Sequence, residues 1–179
     1  MENLNWSETE KSELLKTPVF TVNRTTSVSP EGKTAHFIVN DAPDWAIVIA
    51  EDGDDFLMVK QWRHGENALS VEFPGGVVDN GETPEQAARR ELLEETGFLA
   101  SEFISLGSMN PNPALFRNHV HFFCARGLSK KDSQHLDKDE FVSFFKVQKI
   151  EVAKKMGSKE YPHALMAAAL SRWLVVCQK

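Results

Sequence analysis

Residues 75–98 read GGVVDNGETPEQAARRELLEETGF, a stretch that combines a glycine pair, a clear helix start and six carboxylates. Thr83 is a suitable N-cap, Pro84 fits the first helical position, and Gln86 completes a capping box with Thr83. Gly97 is typical of the residue that ends a helix in the left-handed conformation. The sequence therefore predicts a helix that begins at Pro84 and ends just before Gly97.

Three carboxylates of the predicted helix, Glu91, Glu94 and Glu95, fall within about a 100° arc of its surface. Like charges four residues apart cost about 0.2–0.5 kcal/mol per pair, which leaves two interpretations, a solvated acidic face or a bound cation. Three carboxylates without a nearby Cys or His favour Mg²⁺ or Mn²⁺ over zinc. Arg90 can orient the carboxylate of Glu82 through a bidentate hydrogen bond. Such a site suits metal-assisted hydrolysis of a phosphate ester or anhydride.

The composition limits the classes of protein to which the chain can belong. The 179 residues are enough for one domain with a core, and the hydrophobic and charged fractions of 41% and 26% are those of a globular protein. A net charge of −6 argues against a nucleic acid or an anionic membrane as partner. Cys124 and Cys177 lie in apolar stretches without zinc-ligand spacing, so we expect reduced thiols in a cytoplasmic protein. The start of the chain lacks the pattern of a secretory signal, and no segment is long and apolar enough to predict a membrane span.

The pattern of apolar residues predicts an α+β fold in which helices cover a mixed sheet. Two β-branched segments are joined by the turn SPEG and two further apolar segments by the loop EDGDD, so two hairpins are expected early in the chain. The predicted strands span residues 19–28, 33–40, 45–50, 56–62, 68–73, 102–108, 118–126 and 140–146, and the closing helices span residues 147–156 and 161–178.

The stretch also resembles the Nudix box at every fixed position. Gly76 is followed after five residues by Glu82, and after seven more by the run RELLEETGF at residues 90–98. The resemblance to Nudix hydrolases covers about residues 17–175 and implies an α/β/α sandwich around a central mixed sheet, with extra N-terminal strands. It implies one Nudix domain over residues 1–179, in which residues 43–179 form the core and about residues 1–42 an extension.

The resemblance further implies an activity and roles for the residues of the box. The family hydrolyses nucleoside diphosphates linked to another moiety and uses Mg²⁺ or Mn²⁺. By position, the implied metal ligands are the carbonyl of Gly75 and the carboxylates of Glu91, Glu94 and Glu95, and the residues implied to hold the catalytic geometry are Glu82 and Arg90.

Three features outside the box resemble the ADP-ribose pyrophosphatase subgroup. Pro113 lies fifteen residues after the box, and VKQWRHG resembles a strand whose arginine, here Arg63, faces the phosphates of the substrate. EFPGG, which begins at Glu72, resembles the E.PAG of that subgroup. Together these features imply a nucleoside diphosphate sugar as substrate, with ADP-ribose favoured and AMP and ribose 5-phosphate as products. Arg117, in the loop of Pro113, is a further candidate for contact with the substrate.

Other interpretations stay open at this point. GDP-mannose, another nucleotide sugar or a dinucleotide is an alternative substrate, and a nucleotide sensor with the Nudix fold is an alternative without catalysis. The complete set of carboxylates in the box argues against a sensor. His119 and His121 alternate along a predicted strand, a spacing that can bind zinc, but no third ligand is evident.

The remaining expectations concern a general base and a partner. In the subgroup, an acidic residue on the loop before the last strand completes the site. The matching segment offers Asp137, Asp139 and Glu140, of which Glu140 is preferred because it lies nearest the apolar start of the predicted strand. The extra N-terminal strands resemble those that mediate dimerisation in the subgroup, so a homodimer is expected.

Overall fold

The computed structural model describes residues 3–136, 138 and 141–178. In chain order its strands are β1 (Ser7–Lys16), β2 (Thr21–Val28), β3 (Thr34–Asp41), β4 (Trp45–Asp52), β5 (Asp55–Arg63), β6 (Ala68–Glu72), β7 (Gly75–Val77), β8 (Phe98–Met109), β9 (Val120–Lys130) and β10 (Ser143–Gln148). Its helices are α1 (Pro84–Thr96), α2 (Lys149–Lys155) and α3 (Ala164–Cys177). The chain divides into two compact units, Met1–Pro43 with Asn110–His119, and Asp44–Met109 with Val120–Lys179.

The first unit contains an antiparallel sheet in the order β1-β2-β3. The predicted hairpin between β2 and β3 is present, and its turn is closed by the Gly32 N–H, which donates to the Ser29 carbonyl over 2.9 Å. Strand β1 was not predicted. Its sequence, SETEKSELLK, is mostly charged and polar, and nearly all of it is exposed, so pairing with β2 determines this strand without help from a buried face.

The second unit is built on a mixed sheet in the order β10-β5-β4-β9-β8, in which only β4 and β9 run parallel. The predicted hairpin of β4 and β5 is confirmed. Side chains alternate across β4, so Ala46 and Val48 pack against helix α1 on one face of the sheet. Ile47 and Ile49 belong to the core that includes Trp173 of helix α3 on the other face. Helices on both faces of a mixed sheet confirm the predicted sandwich.

Several predicted boundaries are wrong by a few residues. Strand β8 begins at Phe98, directly after helix α1, and β9 begins at Val120. The last strand begins at Ser143, and the next helix begins only at Lys149, because Gln148 still pairs with Asp55 in the sheet. Helix α3 begins at residue 164 where the sequence predicted 161. In the described part of the chain, no helix combines the length and apolar character that crossing a bilayer requires.

Candidate active site

The loop before helix α1 enters the sheet where strands β4 and β5 diverge. These strands pair only between residues 50–52 and 55–57, and beyond this point β6 pairs with β5 while β7 pairs with β4. The carbonyl of Pro74, between β6 and β7, accepts a hydrogen bond of 2.8 Å from the Val48 N–H. The loop is therefore fixed against the first half of β4 by backbone hydrogen bonds.

The two glycines of this loop are required by close contacts. A Cβ atom at Gly75 would collide with the carbonyl oxygen of Ala46, and Gly75 has a φ of 156°. A Cβ atom at Gly76 would collide with the carboxylate of Glu91. The missing side chains thus allow the backbone of the loop to contact strand β4 on one side and an acidic side chain of helix α1 on the other.

Helix α1 has the ends that the sequence predicts. Thr83 Oγ1 accepts the Gln86 N–H at 3.2 Å, and Gln86 Oε1 accepts the Thr83 N–H at 2.7 Å, so the capping box is complete. Gly97 is left-handed at φ 74°, and its N–H donates to the Leu93 carbonyl over 2.7 Å. Because both ends are fixed, the direction in which the acidic side chains leave the helix is fixed as well.

Arg90 connects the carboxylates of the site. Its Nε and Nη2 donate to the two oxygens of Glu82 over 3.0 and 3.1 Å, which is the predicted bidentate contact. Its Nη1 donates to Glu91 over 2.8 Å and to Glu94 over 3.0 Å, and Nη2 also reaches the Val77 carbonyl. The Arg90 guanidinium holds the pKa of Glu82 below its usual value, and the carboxylates raise the pKa of Arg90. One guanidinium thus fixes the loop and the acidic helix face together.

Glu95 and Glu91 are the more buried carboxylates of this face. Glu95 is 4% exposed, and its Oε2 accepts the Gly75 N–H over 2.8 Å. The side chain of Glu91 is 13% exposed and that of Glu94 is 38% exposed. Glu91 and Glu95 therefore lie against the glycine loop, whereas Glu94 is at the margin of the site.

These oxygen donors suit a hard divalent cation. Within residues 3–136, 138 and 141–178, no three acidic, His or Cys side chains are gathered into a ready cluster for a metal ion. Arg90 holds Glu91 and Glu94, and the Gly75 amide holds Glu95. A carboxylate offers about four lone-pair sites, so a single hydrogen bond does not prevent it from coordinating a cation. The donor set fits Mg²⁺ or Mn²⁺.

A cavity of about 340 Å³ opens beside the glycine loop. Its lining includes Arg90, Glu91 and Glu95 from helix α1, and Arg63 and Glu72 from strands β5 and β6. The structure therefore gathers both predicted substrate-binding residues of these strands with the residues of the box. Two hydrogen bonds join Arg63 to Glu72, Nε to Oε1 over 2.8 Å and Nη2 to Oε2 over 2.5 Å.

The ion pair of Arg63 and Glu72 changes the charge of the cavity wall. Glu72 is fully buried, and burial by itself would raise its pKa, but Arg63 outweighs this effect and the pKa of Glu72 is lowered. Glu72 is therefore a carboxylate that orients Arg63, and much of the positive charge of Arg63 is compensated within the protein. This arrangement is more specific than the sequence prediction, which treated the two residues separately.

The cavity wall also contains residues that the sequence did not assign to the site, among them Trp45 and His163. Trp45 packs against the core, and it also lines the cavity. His163 lies just before helix α3, where its Nδ1 accepts the Leu165 N–H over 3.2 Å. Burial lowers the pKa of His163. In the sequence, His163 is recognisable only as a residue that precedes an apolar helix. This position does not indicate that the helix starts beside the glycine loop.

Glu140, the predicted general base, lies outside the described residues, as do Asp137 and Asp139. The segments on either side of them are held near the C-terminal turn of α1. The His135 N–H donates to the Glu94 carbonyl over 2.9 Å, and Gln134 Nε2 donates to the Glu95 carbonyl over 2.6 Å and to the Val142 carbonyl over 3.2 Å. Residues 134 and 142, which flank the segment of Glu140, are thus tied to each other and to the acidic helix.

The remaining predicted residues fall elsewhere. Pro113 and Arg117 belong to the first unit, where Arg117 pairs with Glu8. The structure thus does not gather them into one unit with the box. The prediction that His119 and His121 share one face of a strand is wrong, because His119 precedes β9 and only His121 lies in that strand. His121 instead contacts Asp44, with Nε2 and Oδ2 at 3.0 Å.

Comparison with known proteins identifies the family. The model of the NUDIX domain matches residues 41–167, which is most of the chain. The chain belongs to the Nudix family. The matched range contains the glycine loop, helix α1, the pair of Arg63 and Glu72, and His163, so the cavity described above lies within the Nudix domain.

Known relatives resemble this Nudix chain over most of its length. An ADP-ribose pyrophosphatase of Bacillus subtilis is 34% identical over 143 residues, 79% of this chain and 77% of the relative. A methanol dehydrogenase activator of Bacillus methanolicus is 33% identical over 132 residues, 73% of this chain and 71% of the relative. A crystal structure of an ADP compounds hydrolase has a TM-score of 0.86 at 20% identity and covers 98% of this chain and 97% of that chain, which supports the fold.

Proposed function

We propose that this Nudix protein hydrolyses the pyrophosphate bond of a nucleoside diphosphate sugar with the help of a divalent metal, and that ADP-ribose is the favoured substrate. The observation that carries the proposal is that Glu91 and Glu95 of the box line the same cavity as Arg63. The 34% identity to an ADP-ribose pyrophosphatase supports the choice of substrate. Water would lose a proton and add to one phosphorus, the bond from that phosphorus to the bridging oxygen would break, and the other phosphate would leave with that oxygen, which gives AMP and ribose 5-phosphate.

The proposed metal ligands are Glu91 and Glu95, with Glu94 and the carbonyl of Gly75 as further ligands. A bound Mg²⁺, or Mn²⁺, would neutralise phosphate oxygens and lower the pKa of water for attack on phosphorus. Glu95 is positioned for this role by the Gly75 N–H, and Glu91 by its contact with Arg90. Both carboxylates are largely shielded from solvent, where their charge is least weakened by water.

Arg90 and Glu82 are proposed to act by position. Their bidentate contact holds the loop that ends at Thr83 against the helix, and the Nη2 bond to the Val77 carbonyl fixes strand β7. Arg63 is proposed to contact the phosphates, with Glu72 orienting its guanidinium. An arginine held by a buried carboxylate presents its remaining N–H groups in a fixed direction, which favours recognition of a diphosphate.

Glu140 is proposed as the general base or as an additional metal ligand. The hydrogen bonds of Gln134 and His135 to the carbonyls of Glu95 and Glu94 support this proposal, since they bring the flanks of the segment to the acidic helix. Pro113 and Arg117 are retained as proposed contacts with the substrate. An Arg117→Ala variant with unchanged KM would remove Arg117 from this group.

The proposal is tested by incubating the protein with Mg²⁺ and a panel of nucleotides, namely ADP-ribose, GDP-mannose and diadenosine diphosphate. We expect AMP and ribose 5-phosphate in equal amounts from ADP-ribose, with the highest kcat/KM of the panel. Replacing Mg²⁺ by Mn²⁺ tests the choice of ion. Preference for GDP-mannose would contradict the favoured substrate, and tight binding of ADP-ribose without turnover of any nucleotide would favour a sensor.

We further propose that the protein is a cytoplasmic homodimer in which about residues 1–42 are an extension of the Nudix core of residues 43–179. The first unit exposes large apolar side chains, Trp6, Leu14, Leu15, Phe37 and Ile38. Sedimentation equilibrium should give twice the mass of the chain, and a monomer at micromolar concentration would contradict the dimer.

Both cysteines are free thiols, which is compatible with the cytoplasm and can be checked by thiol labelling of freshly isolated protein.

A further inference from the structure

Helix α3 contacts the glycine loop through Met166, one of the residues that line the cavity. Met166 lies in the first turn of α3, three residues after His163, and its side chain is buried. Its Sδ accepts the backbone N–H of Phe73 over 3.2 Å. Pro74 carries no N–H, so this hydrogen bond is made by the last amide before that of Gly75.

Residues at the start of α3 accept two amide groups from the end of strand β6. The Val71 N–H donates to the Glu160 carbonyl over 2.9 Å, and the Phe73 N–H, two residues later, donates to Met166. N–H groups two residues apart along a strand point to the same edge. In the part of the chain that the structure describes, β6 pairs with β5 alone. The start of α3 therefore takes the place of a second neighbouring strand, and at Phe73 the acceptor is a sulfur atom.

The position of Phe73 matters for the site because of the two residues that follow it. Pro74 has a restricted φ, so it transmits a displacement of Phe73 to Gly75. Gly75 contacts strand β4 closely on one side, and its N–H holds the carboxylate of Glu95. The carbonyl of Gly75 is a proposed metal ligand. The amide that Met166 accepts is thus two residues away, along a stiff stretch of backbone, from that ligand.

Packing alone does not require a sulfur atom at this position. Met166 and Met58 belong to the core that includes Trp173, and a leucine of similar volume can fill such a position. Leucine, however, has no atom that accepts a hydrogen bond. A thioether is a weak acceptor, but an N–H that is buried without any acceptor costs more than a typical hydrogen bond contributes. Because Phe73 is buried as well, the loop would have to shift to relieve this cost.

We infer that Met166 is a positioning residue of the proposed metal site, because its thioether holds the Phe73 amide and thereby places the Gly75 carbonyl and the Glu95 carboxylate. This inference rests on the proposed function, since it assumes that a divalent cation binds at the glycine loop. The site thereby extends to helix α3, outside the Nudix box, through a residue that the sequence marks only as part of an apolar segment.

The experiment measures the Kd for Mn²⁺ of the protein without substrate, by electron paramagnetic resonance of the free ion, together with the melting temperature. For Met166→Leu, the Kd should rise on the order of fivefold, because the loop loses its hydrogen bond at Phe73. Met58→Leu is the matched control, since Met58 is a fully buried methionine of the same core. It should keep the Kd of the wild type, whatever its melting temperature.

Met166→Gln is the second variant, and it restores an acceptor. Glutamine is similar in length to methionine, its Oε1 can accept the Phe73 N–H, and its amide nitrogen can be solvated in the cavity that Met166 lines. We expect a Kd near that of the wild type even if the melting temperature falls.

Three results would overturn the inference: an unchanged Kd in Met166→Leu, an equal rise in Met58→Leu, or no recovery in Met166→Gln. If the wild type bound no Mn²⁺, the proposed metal site itself would fail, and this inference with it.

Discussion

At the scale of single residues, the chemistry of the site depends on which carboxylates can coordinate a cation while they are hydrogen-bonded within the protein. Glu95 is the most buried acid of the box and accepts a backbone N–H, and Glu91 and Glu94 share Arg90. Such hydrogen bonds fix each carboxylate where a cation could be held. We therefore expect catalysis to require the negative charge of the Glu95 carboxylate and not only the shape of its side chain.

Replacing Glu95 by glutamine tests this requirement. Glutamine keeps an oxygen that can accept the Gly75 N–H, so the fold and the melting temperature should change little. The loss of one negative charge should lower kcat for ADP-ribose on the order of a hundredfold or more. The control is Glu85→Gln in the exposed first turn of the same helix, which should keep the activity of the wild type. Near-full activity of Glu95→Gln would show that the metal assignment is wrong.

Replacing Arg63 by alanine tests the proposed contact with the diphosphate. We expect KM to rise by about tenfold or more, because a charge-assisted hydrogen bond to phosphate is lost. The variant should also melt at a lower temperature, since Glu72 would stay buried without its partner. Arg126→Ala is a matched control, because it also removes an arginine from a glutamate of low exposure, Glu51, at the other end of strand β4. An equal change of KM in both variants would mean that Arg63 acts through stability alone.

At the scale of the elements, the glycine loop and helix α1 form one unit whose parts were predictable to different degrees. The ends of α1 could be predicted because a capping box and a left-handed glycine are local signals. Strand β7 is three residues long, and its existence depends on the divergence of β4 and β5, which the local sequence does not show. Strand β1 was missed for a similar reason, since it is defined by its partner β2 and carries little buried surface.

Gly76→Ala tests whether this loop must contact the acidic face of the helix. The new methyl group would displace the carboxylate of Glu91, which is the end of a flexible side chain, so we expect kcat to fall much more than stability. Gly53→Ala in the turn between β4 and β5 is the control. It has a φ of 62° and open space around it, so alanine there should cost about 1 kcal/mol of stability and leave kcat unchanged. Full activity of Gly76→Ala would contradict the proposed role of the contact.

At the scale of the whole molecule, residues far apart in sequence meet at the cavity, and this limits what a sequence pattern can predict. The acidic residues of the box are close in sequence, and their convergence follows from helical geometry alone. Arg63, Glu72 and His163 come from β5, from β6 and from the start of α3, and their meeting depends on the complete fold of the second unit. The activity could therefore be inferred from one segment, whereas the meeting of Arg63, Glu72 and His163 at one cavity required the structure.

The end of the sheet opposite the glycine loop has its own ionic cluster, which should govern stability in acid. Glu51, in strand β4, accepts hydrogen bonds of 2.6 Å from Arg126 of β9 and from Lys149 of α2. Burial by itself would raise the pKa of Glu51, but these cations and the Cys124 thiol outweigh it and hold the pKa at about 2. Three elements of the second unit are thus joined by one carboxylate that stays ionised in acid.

The pH dependence of unfolding follows from the sign of this shift. Because the folded pKa is below the ordinary value of 4.5, Glu51 stabilises the fold fully above pH 4.5, and this contribution is lost as the pH falls toward 2. The free energy of unfolding of Glu51→Gln should therefore be lower than that of the wild type by about 2–3 kcal/mol at pH 7, and the difference should shrink toward pH 2. Urea unfolding at pH 7, 5 and 3 measures this difference.

Asp52→Asn is the control. It breaks an exposed pair with Lys146 and should lower the free energy of unfolding by about 0–1 kcal/mol at every pH. A difference for Glu51→Gln that does not change with pH would show that the cluster stabilises by packing and not by charge.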